Sequence, residues 1–321
     1  MIRAEKLARA YGDTQAVAGV DLSVDGGEIF AFLGPNGAGK TTTVRMLVTL
    51  LRPTGGSASV AGFDVVKQAD QVRRRIGVTL QELSLDPTMT AADLLRLHLA
   101  LHGLTRDRAA AARGAELLDE FGLGTVVKKP VLAYSIGMRR RLDLALALVH
   151  RPQVLFLDEP TTGLDPASRQ AIWQRVRQLR AEGAAVFLTT QYIEEADQLA
   201  DRVSIIDSGE IVVEGSPERL KATAGNSRLE LVTEGPLPAT LGQSLESLAL
   251  LRSTGDGTAT VELDKDEADI AAIIRVFEQA GVTVRGMQVH RPSLEDVFLA
   301  HTGRQLEGTH QPAAMKAVTR G

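Results

Sequence analysis

Apolar residues along the chain change their spacing several times, and those changes mark out the elements. Glu28-Ile29-Phe30-Ala31-Phe32-Leu33, Val154-Leu155-Phe156-Leu157 and Ala185-Val186-Phe187-Leu188-Thr189 are short, almost continuous apolar runs, the pattern of strands covered on both faces. Elsewhere the apolar positions recur every three or four residues, from Thr42 to Leu51, Ala91 to Leu101 and Arg108 to Phe121, which predicts helices. Strand runs alternating with helical runs from Ile2 to about Ala224 predict an α/β domain with a mainly parallel sheet and helices on both faces. Leu85 to Leu132 is largely helical and reads as an insertion, part of a helical subdomain over about residues 85–150.

The pattern changes again near the end of this domain. Val203 to Ile206 and Ile211 to Glu214, joined by Asp207-Ser208-Gly209, predict a hairpin, and Ser216 with Glu218 opens a helix. Past Gly225-Asn226 come a strand at Arg228 to Thr233, a hairpin through Gly255-Asp256-Gly257, a helix at Asp266 to Ala280, a strand at Val282 to Val289 and a helix from Ser293. Ser293 and Asp296 fit an S-x-x-D cap, and Leu294, Val297 and Phe298 give that helix an apolar face. This order predicts a separate small α+β domain over residues 225–303. It contains no nucleophile, metal set or phosphate loop, so its expected role is architectural, holding two copies near each other. Residues 304–321 are small, polar or charged without period, and are expected to form a disordered tail.

Composition narrows the classes. The chain has 321 residues, room for two cores, and 36 basic against 40 acidic residues, a net charge of -4. That balance argues against a protein built to coat nucleic acid. The basic knot Arg139-Arg140-Arg141 is expected to be a solvated helix face. Cysteine is absent, which excludes disulfides, thiolate metal sites and cysteine nucleophiles. No apolar run reaches membrane-spanning length, and Met1-Ile2-Arg3-Ala4-Glu5-Lys6 lacks a signal-peptide core, so any membrane role is expected from the cytoplasmic side.

The candidate chemistry sits at two strand ends. Gly34-Pro35-Asn36-Gly37-Ala38-Gly39-Lys40-Thr41 fits G-x-x-x-x-G-K-[ST] between a strand and a helix, the context in which glycines let backbone N–H groups face phosphate oxygens at a helix N-terminus. Gly34, Asn36, Gly37, Gly39, Lys40, Thr41 and Thr42 are the expected nucleotide contacts. Lys40 would reach the β- and γ-phosphates, and Thr41 would ligate magnesium. A second strand ends in Asp158-Glu159-Pro160, placing two carboxylates at the sheet edge where ligands bind in open α/β folds. Asp158 is the expected magnesium residue and Glu159 the expected general base.

Further motifs narrow a P-loop protein to one family. Tyr134-Ser135-Ile136-Gly137-Met138 precedes the acidic strand, Gly163-Leu164-Asp165-Pro166 follows it, and Gln81 ends Val78-Thr79-Leu80-Gln81. In this order they resemble the ATP-binding cassette (ABC) family over about residues 1–220, a P-loop cassette with a mixed sheet and a helical subdomain. Tyr134 to Ala145, Thr189-Thr190-Gln191-Tyr192 and Ser293 to Leu299 look like the daunorubicin-resistance type of ATP-binding subunit. The resemblance implies ATP and Mg2+ as cofactors, Tyr11 stacked on adenine, and Gln81 touching magnesium or the attacking water. It further implies that Ser135, Gly137 and Asp165 lie at ATP held by a second cassette, in a homodimer, and that a separate integral-membrane permease subunit is the partner, at the cytoplasmic face of the membrane. The function implied is ATP-driven efflux of a drug, small molecule or lipid. The alternative is a soluble cassette acting as a switch on nucleic acid or ribosomes.

Two positions depart from the family pattern. Gln191 stands where most members have histidine, and Ile136 where the signature has its first glycine. Ile136 either crowds a phosphate facing the signature or packs into the helical insertion, and Ile136 with Gln191 leaves open a cassette that binds ATP but hydrolyses it slowly, acting mainly as a switch. The histidines at 98, 102, 150, 290, 301 and 310 show no metal-ligand spacing and are expected at surface or half-buried positions.

Overall fold

A computed structural model describes residues 1–304 apart from 235, 236, 239, 246–248, 256 and 264–269. The expected tail, Asp256 of the second hairpin turn and the expected helix start at Asp266 therefore lie outside the described residues, the tail except for Arg304. The chain divides into two compact units, Met1–Pro217 and Glu218–Gly303.

The larger unit runs β1 (Ile2–Tyr11), β2 (Thr14–Val24), β3 (Ile29–Leu33), α1 (Lys40–Leu47), β4 (Gly55–Val60), β5 (Phe63–Asp64), α2 (Ala69–Arg73) and β6 (Ile76–Thr79). It continues with α3 (Ala91–Leu101), α4 (Arg108–Glu120), α5 (Ile136–Leu148), β7 (Val154–Asp158), α6 (Pro166–Ala181), β8 (Ala185–Thr190), α7 (Ile193–Leu199), β9 (Arg202–Asp207) and β10 (Glu210–Gly215). Six strands form one mixed sheet in the order β10-β9-β3-β8-β7-β6, parallel except for the β9–β10 hairpin. Four more form an antiparallel sheet, β2-β1-β4-β5.

The apolar runs are buried throughout because both faces of the mixed sheet are covered. Alternation sorts their side chains. Ile29, Leu155, Leu157, Val186 and Leu188 join a core with α3 to α6, while Phe30, Phe32, Val154, Phe156 and Phe187 join one with α1 and the antiparallel sheet. Helices therefore cover one face, and the expected second helical layer is α1 with a sheet. Phe187 stacks on Phe30 and packs tilted against Phe32 and Phe156, at centroid separations of 5.4, 5.7 and 5.6 Å. Removing a ring so buried costs about 3–5 kcal/mol.

Helix starts follow capping chemistry. Thr90 and Asp93 form a capping box on α3, and Asp107, Ser135 and Asp165 cap α4, α5 and α6, each contributing about 1 kcal/mol. The helix expected at Thr42 to Leu51 begins two residues earlier, at Lys40, and stops at Leu47 because Thr49 takes a left-handed φ of 70°.

The smaller unit carries α8 (Pro217–Thr223), β11 (Arg228–Thr233), α9 (Leu241–Leu245), β12 (Ala249–Gly255), β13 (Thr258–Leu263), α10 (Ile270–Gln279), β14 (Val284–His290) and α11 (Leu294–Thr302). Its antiparallel sheet is ordered β12-β13-β11-β14. Alternate residues Leu229 and Leu231 of β11 are buried in a core with Val261, Ile273 and Phe277. Ser293 and Asp296 form the reciprocal capping box that opens α11.

Candidate nucleotide site

β3, β7 and β8 are neighbours in the mixed sheet, so the loops leaving their carboxyl ends meet. The loop after β3 is held close to the sheet. A side-chain carbon on Gly34 would come within 2.3 Å of the Ile206 carbonyl, and one on Gly39, where φ is 104°, within 2.6 Å of the Ala16 carbonyl. Only glycine fits at either point. Lys40 is 4% exposed; its ammonium donates to the carbonyls of Gly34 (2.8 Å) and Pro35 (2.9 Å) and lies 3.3 Å from Glu159 Oε1. Burial holds the Lys40 pKa below its ordinary value, while Glu159 and then Asp158 pull it back up. Asn36 and Gly37 form the exposed rim of the loop, and Thr42 is half-buried in the first turn of α1.

The carboxylates are fixed from β8. Thr189 donates its hydroxyl to Asp158 Oδ1 and accepts from the Glu159 N–H at 3.2 Å, while the Thr189 carbonyl accepts from the same N–H at 3.1 Å. Thr41 Oγ1 donates to Asp158 Oδ1 at 3.3 Å. Asp158 Oδ2 is buried without a protein partner, so an oxygen lone pair next to the Thr41 hydroxyl is free for a hard cation or its water. The donor set thus fits magnesium. Glu159 adopts φ 51°, a left-handed backbone that costs a non-glycine residue about 1–3 kcal/mol. Its Oε2 accepts from Gln81 Nε2 (3.1 Å) and Thr162 Oγ1 (3.4 Å). Lys40, Thr41, Gln81, Asp158 and Glu159 are therefore brought together.

The remaining expected residues lie around this cluster. Gln191 directly follows β8, half-buried on the same sheet edge. Tyr11 ends β1 with its ring 46% exposed and the Arg9 guanidinium 4.6 Å from its centroid. Ser135 caps α5, accepting from the Met138 N–H at 3.2 Å. Both Asp165 oxygens are taken by Ser168, through its N–H (2.9 Å) and hydroxyl (2.6 Å), which hold that carboxyl below the usual range. Gly137 backs onto the same hydroxyl; a side-chain carbon there would stand 3.1 Å from Ser168 Oγ. Ile136 is 61% exposed, which removes the reading in which it packs into the helical insertion.

The arginine knot is not a solvated face. Arg140 is 8% exposed and donates to the carbonyls of Leu80 (2.6 Å) and Gln81. Arg139 donates to Tyr134 and Leu132, and Arg141 to Phe121 and Gly137. A planar fork of donors suits backbone carbonyls better than water does here. The sequence carried a signal for Arg140, since it shares a helix face with buried Leu144 and Ala147. Thr162, in the loop after β7, carried none, and Thr189 was marked only as a strand end and as part of Thr189-Thr190-Gln191-Tyr192.

Three histidines also come together. A groove of about 780 Å³ is lined by Leu80, Glu82, His98, His102, Asp143 and His150, among others. The His102 and His150 rings stack at 3.7 Å, and His150 Nε2 lies 2.9 Å from the Ile76 carbonyl, so it carries the proton. Burial pushes His150 down to about 4 and Asp143 up to about 7. Among the described residues, no three such side chains are placed to hold a metal ion.

Residues 17–162 match the family model for ABC transporters, and residues 215–302 match the C-terminal domain of DrrA1-3-like ATP-binding proteins. The daunorubicin resistance ATP-binding protein DrrA3 of Streptomyces coeruleorubidus is 45% identical over 304 residues, 92% of this chain and 93% of that protein. A Nod factor export ATP-binding protein I from Burkholderia pseudomallei is 40% identical over 304 residues, 94% of this chain and 97% of that protein. Among solved structures, a dimeric bacterial ABC transporter cassette superposes with a TM-score of 0.63 at 26% identity, covering 67% of this chain and 98% of that one. The chain belongs to the ABC transporter family, as an ATP-binding protein that hydrolyses ATP.

Proposed function

We propose that this chain is the ATP-hydrolysing subunit of an exporter, working as a pair of identical cassettes at the cytoplasmic face of a membrane and driving a drug-like or lipid-like small molecule through a separate permease subunit. The relatives' names, for resistance and export, support this direction over action on nucleic acid or ribosomes. The 780 Å³ groove beside Gln81 is the surface we assign to the permease, and the Glu218–Gly303 unit the role of holding two cassettes together.

The observation that carries the chemistry is Glu159, held between Lys40 and Gln81 in a left-handed backbone. Lys40 exchanges the Gly34 and Pro35 carbonyls and Glu159 for β- and γ-phosphate oxygens, which frees Oε1. Glu159 then accepts the proton of a water aimed by Gln81, whose amide donates on the same side. Thr41 and Asp158 would hold magnesium, which when bound neutralises phosphate charge. Tyr11 supplies a face for adenine, and Ser135 and Gly137 meet the γ-phosphate of the second cassette, with Gln191 completing the shell. Glu159→Gln keeps the shape and loses the base, so ATP binding by equilibrium dialysis should persist while turnover falls by about 10² to 10⁴-fold. Undiminished steady-state hydrolysis in that variant would refute the assignment.

A further inference from the structure

Glu195 has no part in the chemistry above, yet it is fully buried in the first turn of α7, on the element that follows Gln191. Its Oε1 accepts two hydrogen bonds, from Thr161 Oγ1 at 2.9 Å and from Trp173 Nε1 at 2.9 Å. The first comes from the loop just past Glu159, the second from the middle of α6. Thr190, next to Gln191, accepts from the Tyr192 N–H at 2.9 Å, and its hydroxyl favours the ionised form of Glu195.

Leaving such a group in the interior is costly, and an alanine or leucine would pack with no desolvation penalty. The partners show what the carboxyl does there. Thr161 is one residue from Thr162, whose hydroxyl meets Glu159 Oε2. Thr189, which fixes Asp158 and the Glu159 backbone, is one residue from Thr190. We infer that Glu195 is a positioning residue for hydrolysis: it ties the loop carrying Glu159 to the loop carrying Gln191 and anchors both on Trp173, so that base and γ-phosphate contact keep their spacing. This rests on Glu159 acting as the general base.

The surroundings of Glu195 disfavour its charged form. Burial pushes its pKa up, against the pull of Trp173, Thr190 and Thr161, and Arg169 acts only at longer range. An amide matches this carboxyl in shape, and its oxygen can accept both bonds while its N–H₂ faces Thr190. Trp173 is the single tryptophan of the chain, so its emission reports this network directly.

The test uses the full-length chain with Mg·ATP. Glu195→Ala and Thr161→Val should each lower kcat, on the order of ten- to a hundredfold for a base moved by a fraction of an ångström to an ångström, with KM for ATP unchanged because neither touches nucleotide. Glu195→Gln should stay near wild type. Trp173 emission should shift in Glu195→Ala, which strips the indole of its acceptor, and should hold in Thr161→Val, where the indole keeps it. If Glu195→Ala does not fold, Thr161→Val decides. Wild-type kcat in folded Thr161→Val, or Glu195→Gln as impaired as alanine, would overturn the positioning role. Loss of turnover in Glu159→Gln alongside a normal Thr161→Val would leave the base in place and remove this inference alone.

Discussion

Arg140 offers the sharpest check on how the site is held. Its two guanidinium nitrogens donate to the Leu80 and Gln81 carbonyls from a position 8% exposed. Burial lowers its pKa, and Asp143, Asp158 and Glu159 offset this. A hydrogen bond with a charged partner contributes roughly 1.5–3 kcal/mol, so Arg140→Met, which keeps the apolar stem and leaves both carbonyls unpaired, should destabilise by roughly 3–6 kcal/mol as an upper bound. Arg140→Lys keeps the charge but offers a point donor in place of a fork, and should lose about half as much. Urea unfolding followed by Trp173 emission reads the larger unit, where both residues lie. Because methionine removes the tether on the Gln81 backbone and lysine only weakens it, turnover should fall in the same order, methionine below lysine. An Arg140→Met protein within about 0.5 kcal/mol of wild type, the range of an ordinary surface substitution, would refute the reasoning.

Asp143 and His150 give a pH signature. Asp143 is protonated in the fold up to about 7 and ionises from 3.8 when unfolded; between these values the unfolded chain binds fewer protons, so stability falls as pH rises. His150 titrates near 4 folded and 6.5 unfolded, so stability rises over that window and the two slopes oppose each other. Asp143→Asn should leave the rising limb alone between about pH 4.5 and 6 and, from a shift of about three units at 1.36 kcal/mol each, stabilise at pH 8 by up to about 4 kcal/mol; a flat difference between variant and wild type across pH would refute it. Ile136→Gly should strengthen ATP-dependent dimerisation at little cost in stability, since the side chain is 61% exposed and sits at the first position of α5; light scattering showing no tighter dimer would clear Ile136 of crowding the phosphate.

The parts of this molecule written in local pattern were legible in its sequence. β3, β7 and β8 announced themselves as continuous apolar runs because both faces are covered, and α3 was readable from the spacing of its apolar residues because one face packs on the core. The phosphate loop and the Asp158-Glu159 pair were readable because glycine spacing and strand-end carboxylates are local. What the sequence withheld was written across space. β1 pairs with β2 on one side and with β4 on the other around bulges, so its alternation is interrupted. Arg140 looked solvated as part of a triplet, although the Leu80 and Gln81 carbonyls lie about sixty residues away. Glu195 went unremarked in the sequence, because Trp173 and Thr161, from two other segments, give it its reason.

These long-range ties converge on α5. Ser135 starts that helix, Arg140 on its second turn holds the Gln81 backbone, Asp143 and Ala147 line the groove, and His150 stacks on His102 just past its end. A helix transmits displacement along its axis with little internal give, because every interior turn is hydrogen-bonded to the next. Two buried charge-assisted bonds to the Leu80 and Gln81 carbonyls cannot be stretched by an ångström without being lost. Movement of α5 relative to the mixed sheet must therefore drag Gln81 with it or strip Arg140 of its partners, and Gln81 is the residue whose amide meets Glu159 Oε2. Whatever settles in the groove bears on the wall of the same helix that carries Ser135 at one end and, in the middle, grips the Leu80 and Gln81 carbonyls next to the amide that meets Glu159.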